Sequence, residues 1–547
     1  MKKPIKYPNV RPGIWLLIPI IALSSVAYAE KLPARIVAAA VQTWVRDVTA
    51  DNKPDAVIER IEPYVADGDT VAYIAHIAGG GFCICGADNM FLPVYLYSPG
   101  GTYDPEKPHH KHFLADIVRR ARLISDAESK DDGSLDRFAE TFEARAAYWE
   151  ALANGTIPKR NARPRGLWEG PDSMSCHLTS LWNQWSPYND LCPELTPGAD
   201  EHCVIGCVAG AGSAIMRYWE WPNTGVGNDS TIYNYRWRTT WDTEPLSFYP
   251  FKEDFNTAGW SSRLKWVATA GGRLEMNGYW DGSVYNSARE QLDTVSSADS
   301  TAFFTALDSL WNRLTMSSKT CRADFGTTTY RWDLMEDIHD DAIHDAGDTA
   351  VATLCYNVGV ACEMDYGIWG SGAWEWPMVG AYEDHFRYDL DVDYVVRDTG
   401  DYASGTNDMI DEFQWLRPVQ YYGWEMVHSW VIYGYNRTFL PDSVQFHMNS
   451  VNGDTDWVQW DEVYPNHCFI WHIAPQSVVR FIGDTNPGDG SPDDPYQNIE
   501  EAIADLSIPD GAKWIFKAGS VNTFAASSIT INKPCTLIGR NAIIRKE

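Results

Sequence analysis

Gly206-Cys207-Val208-Ala209-Gly210-Ala211-Gly212-Ser213-Ala214-Ile215-Met216-Arg217-Tyr218-Trp219 is the stretch on which the reading of this chain turns. Val208, Ala211, Ile215 and Tyr218 recur at helical spacing, so the segment reads as a buried helix with Cys207 at or just before its first turn. At that place the positive end of the helix dipole and unpaired backbone N–H groups favour a thiolate, the nucleophilic form of cysteine. Read alone, a cysteine in a small-residue helix also fits plain core packing.

Two flanking segments add groups that such a nucleophile needs. Upstream, Trp182-Asn183-Gln184-Trp185-Ser186-Pro187-Tyr188-Asn189 offers Gln184, whose amide N–H can donate to an oxyanion. Downstream, Pro418-Val419-Gln420-Tyr421-Tyr422-Gly423 and Val427-His428-Ser429-Trp430-Val431-Ile432-Tyr433-Gly434-Tyr435 read as a hairpin with His428 opening its second strand. The next strand, 444–449, ends on Asn449. Singly, Gln184 is a polar residue among aromatics, and His428 fits a satisfied core histidine. Together the order glutamine, cysteine, histidine, asparagine is one that acyl-transfer sites use, and such sites are recognised by roles.

Further out, the chain divides. Lys2, Lys3, Lys6 and Arg11 precede an apolar run from Ile14 to Leu23, and Ala27-Tyr28-Ala29 closes it, the pattern of a signal peptide over residues 1–29. Export to the extracellular side, with the periplasm or cell surface as variants, is therefore expected, with no membrane span left in the mature chain. Residues 30–165 open with a helix in which Ile36, Ala39, Ala40, Trp44 and Val48 share a face. Short strands around Gly79-Gly80-Gly81 follow, then a long helical stretch from Phe113 to Ala153. The basic, proline-broken segment 154–165 reads as a nickable linker, which makes 30–165 a candidate propeptide. The aromatic-rich body spans 166–477. The tail, 478–547, has a short helix from Ile499 to Leu506 and strands at 514–516, 528–531, 535–538 and 542–544, resembling the first coils of a parallel β-helix.

Composition excludes some functions. A formal net charge of −30 over 547 residues argues against a nucleic-acid partner, because like charges repel. Eleven cysteines are an odd number, so at least one thiol stays unpaired within a monomer. Cys203, four residues before Cys207, raises a disulfide switch as a local alternative. No cysteine or histidine grouping has zinc spacing, and the sequence calls for no metal and no other cofactor. Asp484-Thr485-Asn486-Pro487-Gly488-Asp489-Gly490 alternates oxygen donors but lacks the closing glutamate of a calcium loop, so a plain turn is expected. His109-His110-Lys111-His112 reads as a solvated loop, with pH sensing as the alternative.

The chain resembles the streptopain family of cysteine peptidases. Asn183-Gln184 with Pro187-Tyr188-Asn189 matches its oxyanion segment, and Gly206 to Ala211 with Ile215 to Trp219 matches its nucleophile helix. Met364-Asp365-Tyr366-Gly367 with Ser371-Gly372-Ala373, His428 to Gly434, and Gly80-Gly81-Phe82 in the N-terminal region follow in the same order. The resemblance implies an α+β architecture: a papain-like catalytic domain, an α+β inhibitory prodomain and the short tail. It implies Cys207 as nucleophile, His428 as base, Gln184 with the Cys207 N–H as oxyanion donors, and Asn449 in the catalytic set. Ser371, Gly372 and Val427 would line the cleft, the substrates being proteins or peptides and the propeptide an intramolecular partner. The chain also departs from the family. Met426-Val427 replace glycines, Asn449-Ser450-Val451-Asn452-Gly453 replaces Asn-Trp-Gly-Trp-Gly-Gly, and Gly210 and Ala214 replace threonine and glutamine. Trp457 is the nearest candidate for the missing ring over the histidine. The expectation is an exported cysteine endopeptidase made as a zymogen. The alternative is a catalytically impaired relative acting as an extracellular binding protein.

Overall fold

The computed structural model describes residues 30–546 apart from 51–52, 67, 106, 131–134, 136–138, 158–172, 195–200, 246–264, 270–272, 281–296, 314, 340–343, 368–369, 398–401, 424–427, 441–442, 460–466 and 525–527. The signal-peptide reading, most of the linker and Val427 thus lie outside the described residues. Among the described residues no helix is long and apolar enough to cross a membrane.

The architecture is α+β, and its spine is one antiparallel sheet of eleven strands. Along the sheet the strands run Ile58–Ala66, Asp69–Ile77, Phe82–Gly86, Leu96–Ser98, Thr455–Gln459, Ser443–Asn449, His428–Leu440, Val419–Gly423, His467–Trp471 and Asp393–Arg397, with Ser173–Ser175 pairing onto His428–Leu440. The N-terminal region is therefore not a separate layer. Its strand Leu96–Ser98 pairs with Thr455–Gln459 (Trp457↔Tyr97, Val458↔Leu96), which satisfies main-chain groups that would otherwise form an exposed sheet edge.

Helix Ala34–Val48 packs on this sheet through Val37, Ala40, Val41, Trp44 and Val45, all fully buried. That face is rotated from the one expected: Ala39 is exposed, and Ile36 and Val48 are only partly covered. Spacing fixes the period of an amphipathic helix, while the wide apolar arc here leaves its rotation to packing, with Trp44 set edge-on to Tyr97. The stretch expected as one long helix forms two, Pro108–Lys130 and Ala139–Ala153. His110 lies within the first of these, buried and stacked on Tyr103, rather than in a solvated loop.

Helix Cys207–Trp219 crosses the sheet against strand His428–Leu440 and packs on helix Ala346–Ala361, whose start is fixed by a capping box between Asp345 and Asp348. A second, four-stranded sheet, in the order Lys265–Thr269, Arg273–Trp280, Asn228–Pro245, Thr315–Asp324, flanks this layer.

The C-terminal strands Val479–Ile482, Ala512–Phe516 and Cys535–Gly539 pair in parallel, as do Val521–Phe524 and Ile543–Lys546. The strand expected at 528–531 is absent; Val521–Phe524 takes its place in the ladder. Packing does not break at 478. Val479, Phe481, Ile515 and Ala518 belong to the same hydrophobic core as the nucleophile helix. In the loop that follows, Asp484 and Asp489 each accept from an amide of their own turn, as plain turns do.

Candidate active site

The site is built where the nucleophile helix meets the histidine strand. Cys207 is the first helical residue, and Gly206 before it has φ +86°, a conformation glycine adopts freely. A Cβ on Gly206 would stand 2.5 Å from Met364 Sδ and Cε and 3.0 Å from the Ser371 carbonyl, so the 371–375 loop sits directly against the entry to the helix. That loop is closed by paired backbone hydrogen bonds between Asp365 and Gly372 at 2.9 and 3.1 Å.

The backbone N–H groups of Ser429 and Val208 lie close enough to the Cys207 sulfur to favour its thiolate. Ser429 is the residue after His428, so the strand that carries the imidazole passes beside the thiol. The join is locked beneath by Gln420, whose Nε2 donates to the Val208 carbonyl (3.1 Å) and to Ser429 Oγ (3.3 Å), while Tyr382 Oη donates to its Oε1 at 3.1 Å. All three side chains are buried, which makes the crossing rigid.

His428 is 4 % exposed, and its Nε2 lies 3.1 Å from the Ser450 carbonyl. A carbonyl only accepts, so Nε2 carries the hydrogen and Nδ1 is the basic nitrogen of the neutral ring. Burial pushes the His428 pKa down to about 4, against the opposing pull of the Ser450 carbonyl, and burial pushes the Cys207 thiol up despite its amide partners. In this form of the chain the pair is neutral at pH 7. The ring beside His428 is Trp430, at 5.8 Å, and Trp430 in turn meets Phe113 of the N-terminal region at 6.0 Å. Trp457 does not take the place considered for it: it stacks on His447 at 4.3 Å and 4°.

Gln184 is buried, its side-chain Nε2 donating to Asn452 Oδ1 at 3.1 Å and its backbone carbonyl accepting from Ile205 N–H at 3.2 Å. Asn189 holds the same segment to the nucleophile side by donating to the carbonyls of His202 and Cys203, both at 3.2 Å. Asn449 is buried nearby, but its bonds run elsewhere: Nδ2 donates to the Ser180 carbonyl, and Oδ1 accepts from Val451 N–H at 2.9 Å. The contact on the imidazole that a catalytic asparagine would make comes from the Ser450 backbone. Cys203 is buried, and no disulfide joins it to Cys207.

Sequence reasoning missed Glu375. It follows the 371–373 segment between two exposed tryptophans, Trp374 and Trp376, yet it is only 2 % exposed, and its Oε1 has no hydrogen-bond partner among the described residues. Burial above all, with the neighbouring Cys207 as a second cause, pushes the carboxyl up to about 9. The folded chain then keeps a proton that the unfolded chain loses above its ordinary value of 4.5, so stability falls as pH rises from 4.5 towards 9. At pH 7 the cost is about 3 kcal/mol, from about 1.4 kcal/mol per unit. Glu375→Gln should therefore be more stable by about that amount at pH 7 and level with the parent near pH 4, read as urea midpoints. A gap that stays constant down to pH 4 would refute the protonated carboxyl.

The family model described as the Peptidase C10 family matches residues 182–266 and 307–454, the two stretches that hold Gln184, Cys207, Ser371, His428 and Asn449. Streptopain of Streptococcus pyogenes is 28% identical over 163 residues, 28% of this chain and 33% of that protein. The chain thus spans about a third of the length of the curated relatives it matches. Among solved structures, a fragment of Prevotella intermedia prointerpain A aligns with a TM-score of 0.47 at 19% identity, covering 76% of this chain and 99% of that one. Active interpain A of the same organism aligns at 0.35 and 22%, covering 55% of this chain and 98% of that one.

Proposed function

We propose that this chain, whose residues 182–266 and 307–454 match the Peptidase C10 family, is an exported cysteine endopeptidase made as a zymogen. The observation that carries the reading is the meeting of Cys207 with the His428–Ser429 backbone, under an imidazole whose Nε2 is fixed by a carbonyl and whose basic nitrogen is Nδ1. In the reaction, Cys207 Sγ attacks the scissile carbonyl carbon while Nδ1 takes the thiol proton. The carbonyl oxygen becomes an oxyanion, which the Gln184 amide and the Cys207 N–H stabilise by donating to it. The C–N bond breaks as Nδ1 returns the proton to the leaving amine. Water, deprotonated by the same nitrogen, then attacks the acyl carbon; the C–S bond breaks, the acid product leaves, and the proton returns to Cys207 Sγ. Asn449 acts on the turn that carries the Ser450 carbonyl. Ser371 and Gly372 form one wall of the cleft.

The N-terminal region is the inhibitory propeptide in this reading. Lys107 pairs with Asp454 of the turn beyond Ser450, Phe113 packs on Trp430, and Leu96–Ser98 extends the catalytic sheet. Its removal would uncover the imidazole, raise the His428 pKa and so favour the thiolate–imidazolium pair.

The test incubates full-length protein and a Cys207→Ala control under mild reductant, following chain length and casein hydrolysis. The expected result is cleavage in the 154–165 linker with hydrolysis, in the parent only. Neither event, even after an added protease has cut the linker, would replace the peptidase reading with the binding-protein one.

A further inference from the structure

The turn 449–453, where the sequence leaves the family pattern, holds a polar connection between the two halves of the site. The Ser450 carbonyl receives His428 Nε2–H and also Asn452 Nδ2–H, each at 3.1 Å. Because that oxygen only accepts, the Asn452 amide has one allowed orientation, with its nitrogen on Ser450 and Oδ1 turned to Gln184. Oδ1 in turn only accepts, so Gln184 must face it with its NH2 group, and the bond observed there is 3.1 Å long. One N–H of Gln184 is used on Asn452; the other is left for a reacting oxygen.

The turn is fixed in this pose. The Gly453 N–H donates to the Trp182 carbonyl at 3.1 Å, joining it to the Gln184 segment, and the Ser450 N–H donates to the Asp454 carbonyl at 3.1 Å. Val451 is buried against Gly210 of the nucleophile helix.

We infer that Asn452 is a positioning residue that sets the direction of the Gln184 amide, so that Gln184 meets the oxyanion with a donor. The inference rests on the peptidase reading above. A free glutamine amide can turn over and present its oxygen, which would repel an oxyanion. Asn452 removes that choice before substrate arrives, and preorganised donors of this kind act without reorganising during the reaction. The polarity starts at a backbone carbonyl and passes through one side chain, so it does not depend on protonation of either amide.

The test uses full-length chains cut in the linker by an added Lys/Arg-specific serine protease that is then inhibited. Hydrolysis of a peptide anilide gives kcat and KM, and iodoacetamide reports Cys207 reactivity against pH without needing an oxyanion hole. Asn452→Ala should lower kcat about tenfold with KM within about twofold, as expected for part of one oxyanion donor, and leave the alkylation profile unchanged. In a Gln184→Ala background the same change should cost less than about twofold, since the group it orients is gone. Asn452→Leu, of similar size but with neither the N–H for Ser450 nor an acceptor for the Gln184 amide, should lose kcat likewise and serves if the alanine variant folds poorly. An undiminished loss in the Gln184→Ala background, a parallel fall in alkylation, or an unaffected kcat would each overturn the inference while leaving the peptidase reading intact. Rapid alkylation of Cys207 with no hydrolysis by the parent chain would overturn both.

Discussion

Gly210→Ala should destabilise the protein by about 2 kcal/mol, although alanine is the better helix former by about 1 kcal/mol. Gly210 lies inside helix Cys207–Trp219, where a Cβ would stand 2.2 Å from Val451 Cγ1 and 3.4 Å from Ile205 Cδ1. Val451 cannot retreat easily. It is buried, its N–H is held by Asn449 Oδ1, and its φ of +57° is already unfavourable for a β-branched residue. The streptopain-like pattern has threonine in the helix and glycine in the turn; here the helix has glycine and the turn has valine. Volume has been exchanged across one contact, which is the kind of change a packed core tolerates. The sign should therefore reverse in a Val451→Gly background, where Gly210→Ala regains its helix preference and stabilises by about 1 kcal/mol. Melting of the four chains decides it: an alanine that destabilises equally in both backgrounds would show that the two residues do not share the space. Activity should follow the same sign, because the turn that Val451 anchors carries the Ser450 carbonyl and Asn452.

Glu412→Leu should cost about 3–5 kcal/mol and loosen the C-terminal segment. Glu412 and Arg417 form a buried pair, each side chain about 2 % exposed. Arg417 Nε donates to Glu412 Oε2 at 2.9 Å and Nη2 donates to Oε1; the His472 backbone N–H donates to Oε2 at 3.0 Å, and His472 Nε2 lies 3.3 Å from Oε1. The other side of the guanidinium belongs to the tail: Nη1 donates to the Pro492 carbonyl at 2.7 Å, and Cζ lies 4.9 Å over the Phe481 ring. Removing the carboxylate leaves a buried cation with one carbonyl and one ring. Replacing both ions, as in Glu412→Leu with Arg417→Met, should recover most of the loss because no charge is then stranded. Limited proteolysis should release a fragment beginning near 478 from the single variant sooner than from the parent. Equal digestion of the two, with an unchanged melting temperature, would mean the pair does not hold the tail.

The positions of the candidate residues Cys207 and His428 were legible in the sequence because each sits in a local pattern with its own physical signature. Small residues at helical spacing put Cys207 at a helix start, where the structure has it. Alternating apolar residues put His428 at the head of a strand, and it is there. Local pattern failed where the answer depended on another part of the chain. The buried face of Ala34–Val48, the two helices in place of one, and the strand at Val521–Phe524 rather than 528–531 were settled by what each segment packs or pairs against.

What the sequence by itself determined, then, is that Cys207 opens a helix and His428 opens a strand, since helix and strand periods are properties of near neighbours; that Gln184, Cys207 and His428 belong to one candidate set came from the resemblance to a known family. Only the tertiary structure decided which nitrogen of His428 is basic, where Asn449 spends its hydrogen bonds, that Asn452 joins Gln184 to Ser450, and that Glu375 is buried beside the thiol. Each of these rests on a contact between distant segments, 22 residues apart for His428 and Ser450 and 268 for Gln184 and Asn452. Hydrogen-bond direction and desolvation depend on the atoms that surround a group, and those atoms are assembled only when the chain has folded.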